Sequence, residues 1–238
     1  MARDIGRGLH IELLIALVAL GIGSALFPAQ ITITVMLLRS ASGRIAAVGW
    51  VGGLTALRLL QGVVFGLIIG SARTTEPGRQ EASLLVPTFQ LVLAVAFYVL
   101  AARKALDGPD EDAPPPRWLA RLEAVTPVRA FLLGAGVLAI SVKAWVFTLG
   151  AIEAIGDARL GQPGSTVAFL LFVVLAQSIH LAAVGMAYAM PDRASSVLGR
   201  FSDVLTRYGR QIVIALGLVF GTWFLLQALS GFGMLTAS

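Results

Sequence analysis

Residues 11–38 read IELLIALVALGIGSALFPAQITITVMLL and carry a single charged side chain, that of Glu12. A helix needs about 20 mostly apolar residues to cross a bilayer, and this stretch exceeds that length. Strands of a membrane barrel would be short and would alternate polar with apolar residues, which this stretch does not do. We therefore predict an all-α membrane protein with six transmembrane helices. The five other qualifying stretches are residues 45–71, 84–102, 130–152, 166–190 and 211–230.

The composition excludes the other broad classes of protein. Hydrophobic residues make up 57% of the 238 residues and charged residues 13%, whereas an average soluble domain is about a quarter charged. A disordered chain would be poorer in apolar residues. The chain has no cysteine, which excludes disulfide scaffolds, thiolate metal sites and thiol redox chemistry. The net charge of +5 comes from basic residues that flank the apolar stretches, which favours contact with anionic headgroups over nucleic acid.

An acidic, proline-rich stretch divides the six helices into two sets of three. Residues 107–116 read DGPDEDAPPP, a composition that cannot pack a core. We predict a first three-helix repeat at residues 1–106, a cytoplasmic linker at 107–128 and a second three-helix repeat at 129–238. Because three is odd, the second set enters the membrane in the opposite orientation. Such inverted repeats are common in transporters, which bind their substrates where the repeats meet.

The orientation in the membrane follows from the basic residues of the loops. One set of loops holds roughly twice as many Lys and Arg residues as the other, and the richer side faces the cytoplasm. This predicts an inner (plasma) membrane protein with both termini extracytoplasmic. Trp50 and Trp118 suit the aromatic belt at the membrane interface. Residues 192–210 combine apolar positions at helical spacing with arginines, which predicts either a helix lying in the interface or an extension of the sixth helix.

Two cations fall inside predicted helices, Arg58 in the second and Lys143 in the fourth. A charge at the bilayer centre costs about 3 kcal/mol on insertion scales, so such residues usually mark function. We expect no carboxylate at comparable depth, because Glu12 and Glu153 lie near the ends of their segments. The two cations therefore predict a site for an anionic group such as carboxylate, phosphate or sulfate. The alternative is that each cation reaches the interface or binds a carbonyl at a helix end.

Further polar residues accompany the two cations. His180 is interpreted either as a proton carrier or as a histidine that hydrogen-bonds between helices. Pro28 is expected to break the first helix and free backbone groups, the alternative being a kink that the helix tolerates. No metal-ligand cluster, phosphate-binding loop or nucleophile with its base is evident, so we predict no enzyme, no metal and no cofactor. The predicted substrate-binding residues are Arg58, Lys143, Gln61, Gln177, His180, Pro28, Gln30 and Ser141.

Short motifs give the chain a likeness to a known family. They are SALFP at residues 24–28, FLLG at 131–134 and VKAW at 142–145. With six helices in two sets of three, the chain resembles the LysE-like exporter superfamily. Within it, the chain is most similar to the GAP/Sap family of glycopeptidolipid- and sulfolipid-addressing proteins of mycobacteria, which are actinobacteria. The resemblance implies that the chain moves cell-envelope glycolipids across the inner membrane, with a larger lipid exporter as partner.

The chain departs from the family pattern at two places. Phe27-Pro28 stands where the family often has Asp-Pro, and Ser141-Val142-Lys143 stands where it often has Asn-Pro-Lys. The missing acid removes one partner for Lys143 and favours an exogenous anion. The missing second proline argues against a second broken helix, since proline is the usual cause of such a break.

The sequence as a whole predicts a transporter or translocation factor for an anionic amphiphile, with an envelope (glyco)lipid as the expected substrate. One alternative is a proton-coupled exporter of a small polar solute such as an amino acid. Another is a non-transporting scaffold that docks a larger lipid exporter. The expected partners are the bilayer, an anionic lipid and that exporter, but no nucleic acid. A homodimer is left open.

Overall fold

A computed structural model describes residues 2–40, 43–74, 80–106 and 125–234 of the chain. These residues form nine helices and no strand, which confirms the all-α prediction for them. Most of the predicted linker at 107–128, including Trp118, lies outside the described residues. The helices are α1 (Ala2–Ala25), α2 (Pro28–Arg39), α3 (Gly43–Thr74), α4 (Gln80–Leu106), α5 (Pro127–Ile140), α6 (Val142–Asp157), α7 (Gly164–Ala176), α8 (Ser178–Ala189) and α9 (Pro191–Gly231).

Within the described residues, three helices are long and apolar enough to cross a membrane unaided. These spans are Gly43–Gly66 of α3, Pro87–Leu106 of α4 and Arg207–Gly231 of α9. Each of the other three predicted segments is a bent pair of helices, with angles of 59° between α1 and α2, 74° between α5 and α6, and 60° between α7 and α8. The chain therefore has three candidate spans, or up to six if each bent pair is one span.

The three breaks have different local causes. Pro28 is the first residue of α2, where it lacks an N–H to donate and its ring excludes a carbonyl of the preceding turn. The predicted break in the first segment is thereby confirmed. The second break occurs although its proline is missing, so the argument against it is wrong. The Ser141 hydroxyl oxygen accepts a hydrogen bond from the Ala144 amide and caps α6 in place of a proline. The third break is at Gln177, in a segment (residues 166–190) that contains no proline.

The chain divides into two compact units. Unit 1 is Met1–Gly62 with Asp110–Gly209, and unit 2 is Val63–Pro109 with Arg210–Ser238. This division is one of packing and does not follow the two predicted three-helix repeats. The inverted-repeat arrangement stays a prediction.

In unit 1, α3 and α5 pack with their backbones in close contact. A methyl group on Gly53 would overlap the Phe131 carbonyl oxygen, and one on Gly134 would overlap the Trp50 carbonyl oxygen. Small residues permit this closeness in membrane proteins, where packing replaces the hydrophobic effect between helices. The apolar cluster around this contact is Ile33, Leu37, Ala46, Ala47, Trp50, Val51, Leu54, Ala130, Leu138 and Ala144.

In unit 2, aromatic side chains join α4 to the second half of α9. The Phe97 ring stacks on those of Phe220 and Phe224, with centroids 5.4 and 5.9 Å away. The Tyr98 hydroxyl lies 2.8 Å from that of Thr222. Stacked aromatic pairs stabilise beyond their buried area by about 0.5–1.5 kcal/mol each.

The α9 helix is continuous over its 41 residues. The basic stretch at 192–210 is therefore an extension of the sixth segment, the second of the two predicted arrangements. Within unit 1, this extension lies along α2 and runs antiparallel to it. Gly199 is close to the Arg39 guanidinium at the end of α2, and Gly209 is close to the Pro28 ring at its start.

Candidate substrate site

Arg58 is buried in unit 1, with a side chain that is 1% exposed. Its Nη1 donates a hydrogen bond to the Ser24 hydroxyl oxygen of α1 at 2.8 Å. Its guanidinium lies over the Phe172 ring of α7, 5.5 Å from the centroid, a cation–π contact. Among the described residues no carboxylate forms an ion pair with Arg58. The guanidinium therefore does not reach the interface, and its charge is met by a hydroxyl and a ring.

The Thr34 hydroxyl joins three helices at one point. It donates to the Gln30 carbonyl oxygen one turn earlier in α2, at 2.9 Å. The Trp50 indole Nε1 of α3 donates to it at 3.0 Å, and His180 Nδ1 of α8 lies 2.9 Å from it. Trp50 is fully buried, so its predicted place in the interface belt is wrong. His180 forms a hydrogen bond between two helices, which agrees with one of its two interpretations from the sequence.

Several buried polar atoms near these residues have no hydrogen-bond partner in the described structure. They are Arg58 Nε, both amide atoms of Gln61, Gln177 Oε1 and His180 Nε2. The four side chains are at most 4% exposed. Each unsatisfied buried group costs about 1–3 kcal/mol. A polar ligand that supplied the missing partners would recover this cost.

The sequence brings these groups together through helix periodicity and the helix breaks. Trp50, Leu54, Arg58 and Gln61 repeat at intervals of four, four and three residues, which places them on one face of α3. Gln177 lies at the break between α7 and α8, and His180 follows within the first turn of α8. The break changes the direction of the chain between α7 and α8, and α8 packs on α2.

Two helices of unit 1 begin without a side-chain cap. Phe27 before α2 and Gln177 before α8 provide no side-chain hydrogen bond to cap those helices. A helix N-terminus carries about half a unit of positive charge. Ser24, which accepts from Arg58, precedes the start of α2 by one turn, and Phe172 precedes the start of α8. The guanidinium favours an anion in its part of unit 1, and the two helix ends carry potential of the same sign.

The structure places the predicted site residues in two groups. Arg58, Gln61, Gln177 and His180 are buried in unit 1, and Gln30 joins them through its backbone carbonyl. Pro28 starts the broken half-helix that carries Thr34. Ser141 and Lys143 lie at the other break, between α5 and α6, where both are half-buried. The predicted role of Arg58 and Lys143 in holding an anionic headgroup stays a prediction.

Sequence reasoning left out three residues of this part of the molecule. Ser24 and Thr34 were visible only as small polar residues near Pro28, and nothing in their spacing named their partners on α3 and α8. Trp50 could have been found, because it lies on the same face of α3 as Arg58. Glu153 lies about one turn before the end of α6, as expected, and it is buried at 4% exposure. No three His, Asp or Glu side chains gather as metal ligands in the described residues.

Comparison with known proteins gives a family match. The family model described as "Sap, sulfolipid-1-addressing protein" matches residues 17–230. No curated protein and no solved structure matches the chain. The family match confirms the Sap part of the resemblance drawn from the short motifs. The wider placement among LysE-like exporters stays a prediction.

Proposed function

The chain belongs to the sulfolipid-1-addressing protein family, and from this premise we propose that it is a transporter or translocation factor for an anionic amphiphile, an envelope (glyco)lipid. The family and the apolar helices support the coarser statement that this is a multi-pass membrane protein with a role in lipid transport or localisation. The inner membrane, with both termini extracytoplasmic, is proposed from the distribution of basic residues.

One observation carries the choice of an anionic headgroup: Arg58 is a buried cation that no carboxylate of the described residues neutralises. Burying a charge without a counter-charge costs several kcal/mol. A phosphate, sulfate or carboxylate beside Arg58 would remove that cost and would also accept from its free Nε–H. Lys143, at the start of α6, is proposed as a second cation that the headgroup meets.

The broken helices supply the rest of the proposed path. The first segment of each predicted repeat has one break, between α1 and α2 in the first repeat and between α5 and α6 in the second. Transporters with inverted repeats use such half-helices to present backbone groups to their substrates. The paired breaks support the inverted repeat, and the third break adds Gln177 and His180 to the path.

The proposal is tested with purified full-length protein in liposomes that contain fluorescent NBD-labelled phosphatidylglycerol. The wild type should move this lipid between leaflets faster than empty liposomes do, measured by dithionite quenching. Arg58→Gln should lower the protein-dependent rate at least about tenfold, which is the loss of one charge-assisted hydrogen bond. Arg129→Gln, which removes an exposed guanidinium on α5, should leave the rate unchanged.

Other outcomes would decide for the alternatives. Equal rates for labelled phosphatidylglycerol and phosphatidylcholine, unaffected by Arg58→Gln, would contradict an anion-selective site. Movement of a radiolabelled amino acid but of no lipid would favour the exporter of small polar solutes. If neither moves and the protein co-purifies with a larger lipid exporter, the scaffold function is favoured.

A further inference from the structure

We propose that Thr34 and Trp50 fix His180 in the form whose Nε2 accepts a hydrogen bond, so that the site selects ligands carrying a hydroxyl or another hydrogen-bond donor. Thr34 and Trp50 act here as positioning residues, and His180 determines specificity. This inference rests on the proposed function, since it concerns the same site. It adds a requirement that an anion-binding arginine alone does not impose.

The argument begins with the single hydrogen of the Thr34 hydroxyl. A threonine hydroxyl donates once and accepts twice. The backbone carbonyl of Gln30 can only accept, so it takes the hydroxyl hydrogen at 2.9 Å. The Trp50 indole nitrogen can only donate, so it occupies one lone pair at 3.0 Å. The second lone pair is left for His180 Nδ1 at 2.9 Å, and Nδ1 must therefore carry a hydrogen.

The protonated Nδ1 defines the other ring nitrogen. In a neutral imidazole only one nitrogen bears a hydrogen, so Nε2 presents a lone pair. A second ring hydrogen would add another positive charge to a buried cluster that already holds Arg58. His180 is fully buried, and its Nε2 has no partner among the described residues. His180 Nε2 is thus a hydrogen-bond acceptor with a fixed position and no donor among the described residues.

The neighbouring free atoms point to the same kind of ligand. Gln61 and Gln177 each present a free amide oxygen, whereas the free donors are the Gln61 amide nitrogen and Arg58 Nε. A ligand made only of anionic oxygens would satisfy the two donors and leave the three acceptors unpaired. A ligand with an anionic group and hydroxyls satisfies both sets. Sites built to bind a hydroxyl discriminate strongly against analogues that lack it.

The direct test is the protonation of the ring. The chain contains two histidines, so nitrogen-15 NMR of labelled protein, with His10→Gln for assignment, isolates the ring signals of His180. At neutral pH we expect a protonated Nδ1 and an unprotonated Nε2. Thr34→Val should change this pattern and Thr34→Ser should restore it. A ring protonated at Nε2 in the wild type, alone or together with Nδ1, would overturn the inference.

The second test uses two lipids of equal charge. Dioleoyl phosphatidylglycerol has two headgroup hydroxyls, whereas dioleoyl phosphatidylmethanol has none. Binding to full-length protein in detergent, measured by native mass spectrometry, should be roughly tenfold or more in favour of phosphatidylglycerol. His180→Phe should reduce this ratio to about one. Thr222→Val, which removes a hydroxyl in unit 2, should leave the ratio unchanged.

The outcomes separate this inference from the proposed function. If the two lipids bind equally and Arg58→Gln weakens both, the anionic site stands and the selection for hydroxyls is wrong. If phosphatidylcholine binds as well as phosphatidylglycerol, the proposed anionic site is wrong. If His180→Phe keeps the wild-type preference, another residue accepts from the hydroxyl and the role given to His180 is wrong.

Discussion

The two units stabilise themselves in different ways. In unit 2, α4 and the second half of α9 are joined by stacked rings and by a hydroxyl pair whose members satisfy each other. Unit 1 contains all three bent helix pairs, together with the buried atoms of Arg58, Gln61, Gln177 and His180 that lack a hydrogen-bond partner in the described residues. The difference teaches that unit 2 satisfies its polar groups internally, whereas unit 1 keeps unpartnered polar groups that cost stability.

The largest effect should come from the aromatic stack of unit 2. Phe97→Ala removes a buried ring and should lower the free energy of unfolding by about 3–5 kcal/mol. The measurement is unfolding in mixed micelles with increasing denaturing detergent. Val95→Ala on the exposed face of α4 is the control and should cost far less. Equal losses of unfolding free energy for the two variants would contradict the role given to the aromatic stack in unit 2.

A smaller effect of opposite sign should come from Arg58. Arg58→Met keeps much of the side chain's length and removes its buried charge, so the ligand-free protein should gain about 1–4 kcal/mol in stability. The same variant should lose the stabilisation that phosphatidylglycerol gives to the wild type. Thermal unfolding with and without this lipid measures both. A destabilised variant that still responds to the lipid would show that Arg58 serves packing alone.

The close contact of α3 and α5 gives the next test. Gly53→Ala forces a methyl group onto the Phe131 carbonyl oxygen and should cost about 1–3 kcal/mol, because the backbones must separate. Gly136 on α5 has nothing within 4 Å of the added methyl. Gly136→Ala should therefore be neutral, or stabilising by up to about 1 kcal/mol. Chemical unfolding of both variants, compared with the wild type, checks the pair.

The smallest effect is expected at the hydroxyl pair of unit 2. Tyr98→Phe removes one hydrogen bond to Thr222 and should cost about 0.5–1 kcal/mol. Lipid binding should stay at the wild-type level. Thermal unfolding and native mass spectrometry on the same sample give the two readouts. A loss of lipid binding in this variant would place ligand contacts outside unit 1.

The sequence predicted the helices better than it predicted the contacts of the site. Apolar length identified the three single-helix candidate spans and the three bent pairs, and Pro28 identified the first break, because both signals are local. The break at Ser141 was missed, because no proline marks it. The Ser141 hydroxyl caps the start of α6 instead. The break at Gln177 has no local signal at all.

The contacts of the site depend on tertiary structure, and that limits sequence reasoning. Arg58, Gln61, Gln177 and His180 were chosen because polar residues within apolar segments need a reason. Their partners Ser24, Thr34 and Trp50 lie on other helices, so no spacing along the chain connects them.

The length of α9 has a consequence for the part of it that packs on α2. Forty-one residues at about 1.5 Å each make a rod of about 60 Å, twice the roughly 30 Å of hydrocarbon in a bilayer. Its candidate span begins at Arg207, so residues 191–206 precede the apolar stretch, and the contacts of Gly199 and Gly209 place this preceding part of α9 along α2 within unit 1.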